Sequence, residues 1–200
     1  MKAEIILPSA KHNGQMLLEQ ALHNRRSIRS YQNKPITIEQ LSQLLWAAQG
    51  ITNNQGLRTA PSAGALYPME LYVVVGNVED LEAGVYKYNC VRHSLLVIKQ
   101  GDKRKSLASA SLGQYCITEG AVDIIITGIY ERTARKYGTR AKRYVHMEAG
   151  HVSQNIYLQA TVLGLCTVSV GAFDDDSVKK VIGAHLDEQP LYVMPIGFTG

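Results

Sequence analysis

Three arginines, Arg25, Arg26 and Arg29, fall within five residues of the stretch NRRSIRSYQNKP (24–35), with the hydroxyl of Ser27 between them and no acidic residue following until Glu39. Guanidinium groups stay charged at any physiological pH and present their donors in a planar fork. Carboxylates and phosphates meet that fork with two oxygens at a time. A phosphate monoester, with nearly two negative charges and three acceptor oxygens, is the anion best suited to such a cluster. The competing readings are a solvated basic turn and a patch for nucleic acid.

The other chemistry-bearing residues give less. His146 and His151 are five apart, which on a helix turns them about 140° from each other, whereas zinc-binding pairs use a spacing of four. A structural use is expected for both. The run Asp174, Asp175, Asp176 is explained by capping and the helix dipole. Cys90, Cys116 and Cys166 form no CxxC pair, so neither a disulfide framework nor a metal site is expected, and Cys116 and Cys166 read as packing residues. GVYKYNCVRH interleaves aromatics with bases but is too short to argue for nucleic acid. Trp46 reads as core.

The elements that must hold the arginines can be traced along the chain. MLLEQALHN (16–24) is a short helix running into them. TIEQLSQLLWAAQG (37–50) is a helix opened by a capping box of Thr37 and Gln40 and ended by Gly50. Residues 50–68 form a long loop rich in Gly, Asn, Pro and Ser, and loops of that length inside a domain are usually functional. It leads into the apolar strand MELYVVVG, followed by GVYKYN and SLLVIKQG in hairpin-like succession. Residues 102–113 are helical in pattern, AVDIIITGIY (121–130) has the β-branched density of a central strand, and a basic connection, helical in pattern, follows. Val145, Ala149, Val152, Ile156, Ala160 and Leu163 recur at steps of three and four, which predicts a long helix over 143–164 with one buried face and a polar side carrying Glu148, His151, Asn155 and Gln159. LCTVSVG (165–171) reads as a strand, 174–183 as a short helix with Asp174 as its N-cap, and LYVMPIG (191–197) as a last strand. Helices and strands mix without strict βαβ alternation, which indicates an α+β layered fold in a single domain over 1–200.

The totals exclude several classes. The chain has 200 residues, 46% of them hydrophobic and 19% charged, with a formal net charge of +4. That composition argues against disorder, and the modest charge suits an anionic small ligand as well as a polynucleotide. No segment approaches the ~20 apolar residues of a membrane helix, and the short apolar run before Pro8 is too brief for a signal-peptide core. A cytoplasmic protein with no membrane and no nucleic-acid partner is the expectation.

Four segments, in order, carry a resemblance. RRSIRSY, APSAGALYPMELYVV (60–74), EAGHVSQNIYLQATVLGLCTVSVGAFDD (148–175) and PLYVMPIGFTG (190–200) resemble the nitroreductase family of FMN-dependent oxidoreductases. The resemblance implies a nitroreductase-like fold, with a central, mostly antiparallel sheet flanked by helices, in an interleaved homodimer with FMN at the interface. It implies that Arg25, Ser27 and Arg29 hold the FMN phosphate, with Arg26 near the ribityl chain. Pro61, Ser62, Ala63, Gly64 and Ala65 would lie over a flavin bound mainly by the other subunit. Ser169, Val170, Gly171 and Ala172 would flank its ring, with a backbone N–H near Gly171 directed at N5. NADH or NADPH would reduce the flavin, and a nitro- or quinone-type small molecule would reoxidise it in ping-pong order, with no catalytic side chain required.

The departures point to one branch. Where the family usually has Asn and Gln in its second flavin segment, this chain has Ala65 and Tyr67, and Ser169-Val170-Gly171-Ala172 stands where Pro-x-Glu-Gly is usual. Many members also place Lys or Arg after the last strand; here the expectation is that this contact is missing or comes from elsewhere. PSAGALYP and the YG-x-R-x-x-RY-x-x-x-E-A-GH-x-x-QN pattern resemble the azoline-dehydrogenase type, which oxidises thiazoline or oxazoline rings and in which a Lys–Tyr pair handles protons. Lys136 with Tyr137, and Lys142 with Tyr144, are both candidates. The two alternatives to a reductase are therefore an oxidising enzyme of that type and a flavin-binding protein without turnover.

Overall fold

The computed structural model describes residues 3–199, so Met1, Lys2 and Gly200 of the segments above lie outside the described residues. The elements run β1 (Glu4–Ile6), α1 (Leu18–Asn24), α2 (Ile38–Gln49), β2 (Met69–Val75), β3 (Gly84–Asn89), β4 (Ser94–Gln100), α3 (Arg104–Ala110), α4 (Cys116–Glu119), β5 (Val122–Gly128), α5 (Tyr130–Tyr137), α6 (Ala141–Val162), β6 (Cys166–Thr167), α7 (Asp175–Ile182) and β7 (Gln189–Gly197). The strands form one seven-stranded sheet in the order β1-β4-β3-β2-β5-β7-β6. All of its strand pairs are antiparallel.

Period-two alternation sends side chains of one strand to opposite faces, and both faces are covered. Leu71, Val73 and Val75 of β2, with Ile124 and Ile126 of β5, pack against Leu41, Leu44 and Leu45 of α2 and Val145, Val152 and Ile156 of α6. Tyr72, Val74 and Ile125 face the other way, onto Leu107 of α3, Ile117 of α4, and Val178 and Ile182 of α7. This is why β2 and β5 read as continuous apolar runs rather than as alternating ones.

The local signals hold at several element ends. At α2 the Thr37 Oγ1 accepts from the Gln40 N–H at 3.2 Å and the Gln40 Oε1 accepts from the Thr37 N–H at 2.9 Å. Asp174 caps α7, its carboxylate accepting from the Ser177 N–H at 2.8 Å. Gly164, with φ of +69°, terminates α6 in the left-handed conformation that favours glycine.

Three expectations change, and two further elements were not anticipated. The strand expected over 165–171 is a ladder only at Cys166–Thr167, with one further bridge from Val170 to Val193. The reason is that the Ser169 N–H donates to the Tyr157 hydroxyl at 2.8 Å, pulling the chain off the sheet toward α6. Trp46 is only half-buried and stacks on His12, ring centroids 5.1 Å apart. The edge strand β1 and the short helix α4 carry no sequence signal long enough to read. The helical stretch expected over 102–113 ends at Ala110, because Leu112 and Gly113 turn to φ of +58° and +72°. Among the described residues no helix is long and apolar enough to cross a membrane.

Candidate functional site

Helix α6, 22 residues and about 33 Å long, is the spine from which the candidate residues are held. On one flank, the Tyr157 hydroxyl lies 3.0 Å from Ser27 Oγ and accepts from the Ser169 N–H. The Arg25 guanidinium sits 5.3 Å from the Tyr157 ring centre. One turn earlier, Ser153 and Ser169 share a hydrogen bond of 2.7 Å. The backbone closes the same corner, since the Ile28 N–H donates to Thr167 O at 3.0 Å. Arg25, Ser27 and Ser169, separated by more than 140 positions, thus meet around one tyrosine.

The other two arginines have different surroundings. Arg26 donates to the carbonyls of His23 and Arg25 at 2.8 and 2.7 Å, closing off the C-terminus of α1. Arg29 is exposed, and its charge reaches the Cys116 thiol on α4. Among the described residues none of the three has an acidic partner. Beyond Ser169, the Gly171 N–H has no hydrogen-bond partner among the described residues, and Ala172 O accepts from Gln114 at 3.0 Å.

The loop 50–68 is fastened to the opposite flank of α6. Asn155 donates to Ala47 O and Thr59 O at 2.9 and 3.3 Å, His151 Nδ1 lies 3.3 Å from Pro61 O, and Ser62 Oγ donates to Glu148 Oε2 at 2.5 Å. The chain then takes a costly path: Gly64, Ala65 and Tyr67 have φ of +64°, +52° and +47°. For a residue with a Cβ each such turn costs about 1–2 kcal/mol, and strain of this kind gathers where a loop must present backbone to a ligand. It is held by the Tyr67 N–H donating to Ser62 Oγ at 2.9 Å and by Arg132 donating to Tyr67 O at 3.0 Å. Arg132 is in turn paired with Glu70, Glu70 with Lys87, and Lys87 with the buried Glu188.

Glu148 was read from sequence as part of a polar side, yet it is 2% exposed. Burial pushes its pKa up to about 7, with the Ser62 hydroxyl and the Arg58 charge pulling it part of the way back. Its Oε1 has no partner among the described residues, and neither do Arg58 Nε and Gln49 Nε2. A signal was available: Glu148 lies three residues after Val145 and four before Val152, inside the buried stripe.

The structure separates the two Lys–Tyr candidates. A Cβ placed on Gly64 would meet Tyr137 Oη at 2.9 Å and Lys136 Nζ at 3.1 Å, so Lys136 and Tyr137 both reach over the loop. Tyr144 packs edge-on against Tyr137, centroids 5.0 Å apart. Lys142 instead lines an open recess of about 530 Å³ with Tyr130, His146, Gly171 and Asp175. His146 there shares a 2.6 Å hydrogen bond with Tyr130, while His151 turns to the loop, so the two histidines do not converge.

Tyr157 and Glu148 are nine residues apart, which places them about 180° apart around the helix. One chain therefore carries these two clusters on opposite flanks of α6. Between them lies an exposed strip with Met147 at 54% exposure and with Gly150, whose added Cβ would meet nothing within 4 Å.

Comparison with known proteins identifies the family. The family model described as the nitroreductase family matches residues 22–198. A candidate nitroreductase of Methanocaldococcus jannaschii is 48% identical over 194 residues, which is 97% of this chain and 96% of that protein. The microcin B17-processing protein McbC of Escherichia coli is 28% identical over 148 residues, covering 72% of this chain and 54% of McbC. Among solved structures, a candidate nitroreductase from Anabaena variabilis superposes with a TM-score of 0.88 at 33% identity, over 100% of this chain and 42% of that one. The chain thus spans only about half the length of the latter two.

Proposed function

Because the chain belongs to the nitroreductase family, we propose that it is an FMN-dependent oxidoreductase that takes electrons from NADH or NADPH and passes them to an electron-poor small molecule of nitro or quinone type. The observation that carries this reading is the meeting of Arg25, Ser27 and Ser169 at Tyr157, with no acidic side chain among the described residues to neutralise the arginine. The residues present fit the cofactor: a cationic corner for a phosphate, an unpartnered Gly171 N–H for a ring nitrogen, and small residues from Pro61 to Ala65 where a ring would lie. Arg25, Ser27 and Arg29 would hold the phosphate, and Arg26, which is turned onto its own helix end, would shape the corner. FMN, when bound, supplies the hydride chemistry. The protein supplies position, a hydrogen-bond donor where charge develops, and a face that donor and acceptor occupy in turn, giving ping-pong order.

The two clusters on opposite flanks of α6, read as half-sites, support a homodimer. A second copy seated on the exposed strip of α6 would bring its loop 50–68 over the first copy's Tyr157 flank. Leu18 and Leu22 on α1, which packs beside α6, are 61% and 50% exposed and would be covered by the same contact. A second reading, an oxidising enzyme of the azoline-dehydrogenase type, is favoured by Lys136 and Tyr137 standing over Gly64 and by the similarity to McbC.

An anaerobic titration tests these readings. Flavin bleaching by NADH or NADPH is expected for the reductase. Bleaching only by an azoline peptide selects the second reading, and a flavin bleached by neither indicates a binding protein without turnover. Arg25→Ala combined with Arg29→Ala is expected to abolish FMN retention with the dimer intact; unchanged FMN affinity would overturn the phosphate assignment.

A further inference from the structure

The flavin reading leaves one feature unused: a buried carboxyl, Glu148, bonded to a hydroxyl in the very loop expected over the ring. Ser62 Oγ has one hydrogen and two lone pairs. One lone pair takes the Tyr67 N–H at 2.9 Å, and Glu148 Oε2 stands 2.5 Å away. While Glu148 is ionised, the Ser62 hydrogen must point at it, and Ser62 can only accept from anything above the loop. Once Glu148 is protonated, its own O–H can donate to the second lone pair of Ser62, and the serine hydrogen is free to turn outward. The hydroxyl therefore changes from acceptor to donor with one proton on Glu148.

We infer that Glu148 and Ser62 form a proton relay that matches the loop to the redox state of the ligand beneath it. This rests on the flavin reading above. FMN, when bound and reduced by a hydride, would add two electrons and one negative charge to the site. In compensation Glu148 takes one proton from solvent, and Ser62 redirects its hydrogen from Glu148 to the ligand. Only hydrogen bonds are exchanged within the protein, and the charge of the hydride is balanced by the proton taken up. Glu148 is thus a positioning residue acting through Ser62.

The surroundings permit such a titration. Arg58, stacked 4.5 Å over the Tyr67 ring, is the charged group whose field reaches Glu148. His151, one turn further along α6, is engaged with Pro61 O, and from α5 the Lys136 and Tyr137 side chains stand over Gly64. From α2, Gln49 accepts from Arg58 rather than reaching the carboxyl. Glu148 Oε1 has no partner among the described residues, so no second hydrogen bond from them fixes the carboxylate in its charged form. Carboxyls left with burial as the dominant influence hold protons near neutrality.

The test compares wild-type holoprotein with Glu148→Gln and Ser62→Ala, each loaded with FMN. The readout is the affinity for reduced relative to oxidised FMN, obtained from the midpoint potential of the bound flavin between pH 6 and 9, a range of about three units around neutrality. In the wild type this ratio is expected to fall about tenfold per pH unit relative to the Gln variant, across the interval where one proton accompanies reduction. Ser62→Ala is expected to follow the Gln variant. Parallel profiles for wild type and Glu148→Gln overturn the relay, as does a Ser62→Ala protein that keeps the wild-type slope. If Glu148→Gln does not fold, Ser62→Ala supplies the comparison. A wild type that retains no FMN removes the flavin reading itself, before any variant is compared.

Discussion

The cost of burying Glu148 is visible in the apoprotein without any ligand. Its pKa is about 7 in the fold against an ordinary 4.5, because burial penalises the charged form. Between those two values the folded protein holds a proton that the unfolded chain has released. Stability therefore falls as pH rises through that window, and the full penalty is present above about pH 7. The separation corresponds to about 3 kcal/mol. Glu148 is 2% exposed, so solvent screening does not dilute the effect. Glu148→Gln keeps the shape and an acceptor for Ser62 while removing the titration. Urea unfolding of both apoproteins at one fixed protein concentration, at pH 4.5, 6 and 8, reads the difference. The gap between variant and wild type is expected to move toward the variant by about 3 kcal/mol from the lowest pH to the highest. A gap that stays constant across the series would refute the assignment of a raised pKa to this carboxyl.

Two further perturbations test the scaffold. Gly64→Ala places a side chain at φ of +64°, in the path of Tyr137 and Lys136, and is expected to lower Tm by about 2–8 °C, read by circular dichroism. Lys87→Met strips the ammonium from Glu188, which is 1% exposed. It is expected to cost about 3–5 kcal/mol in urea unfolding, largely restored by adding Glu188→Gln.

Where the chain's physics is local, the sequence was a sufficient guide. The capping box at Thr37, the N-cap at Asp174 and the buried stripe of α6 all depend on neighbours a turn or less away, and all are present. The run of Arg25, Ser27 and Arg29 was legible as a cationic turn. What collects it into a site is Tyr157, and that contact spans 130 positions. The segment after Thr167 looked like strand because Val168 and Val170 are β-branched; a single tyrosine hydroxyl on another element diverts it. Lys136 and Tyr137 end α5 and stand over Gly64, whereas Lys142, at the start of α6, lines the recess beside Tyr130; that difference in surroundings is tertiary, and spacing does not give it. Glu148 was hidden by its type: a carboxylate inside an apolar stripe was counted with the polar side.

The sheet terminates in strands of three residues at β1 and two at β6. So little unpaired backbone leaves almost no template for another chain to extend the ladder. Any association between copies is thereby steered to helical surfaces, where side-chain identity governs recognition. Variation at positions such as Leu22 and Met147 would then retune self-assembly without disturbing the hydrogen-bonded scaffold beneath.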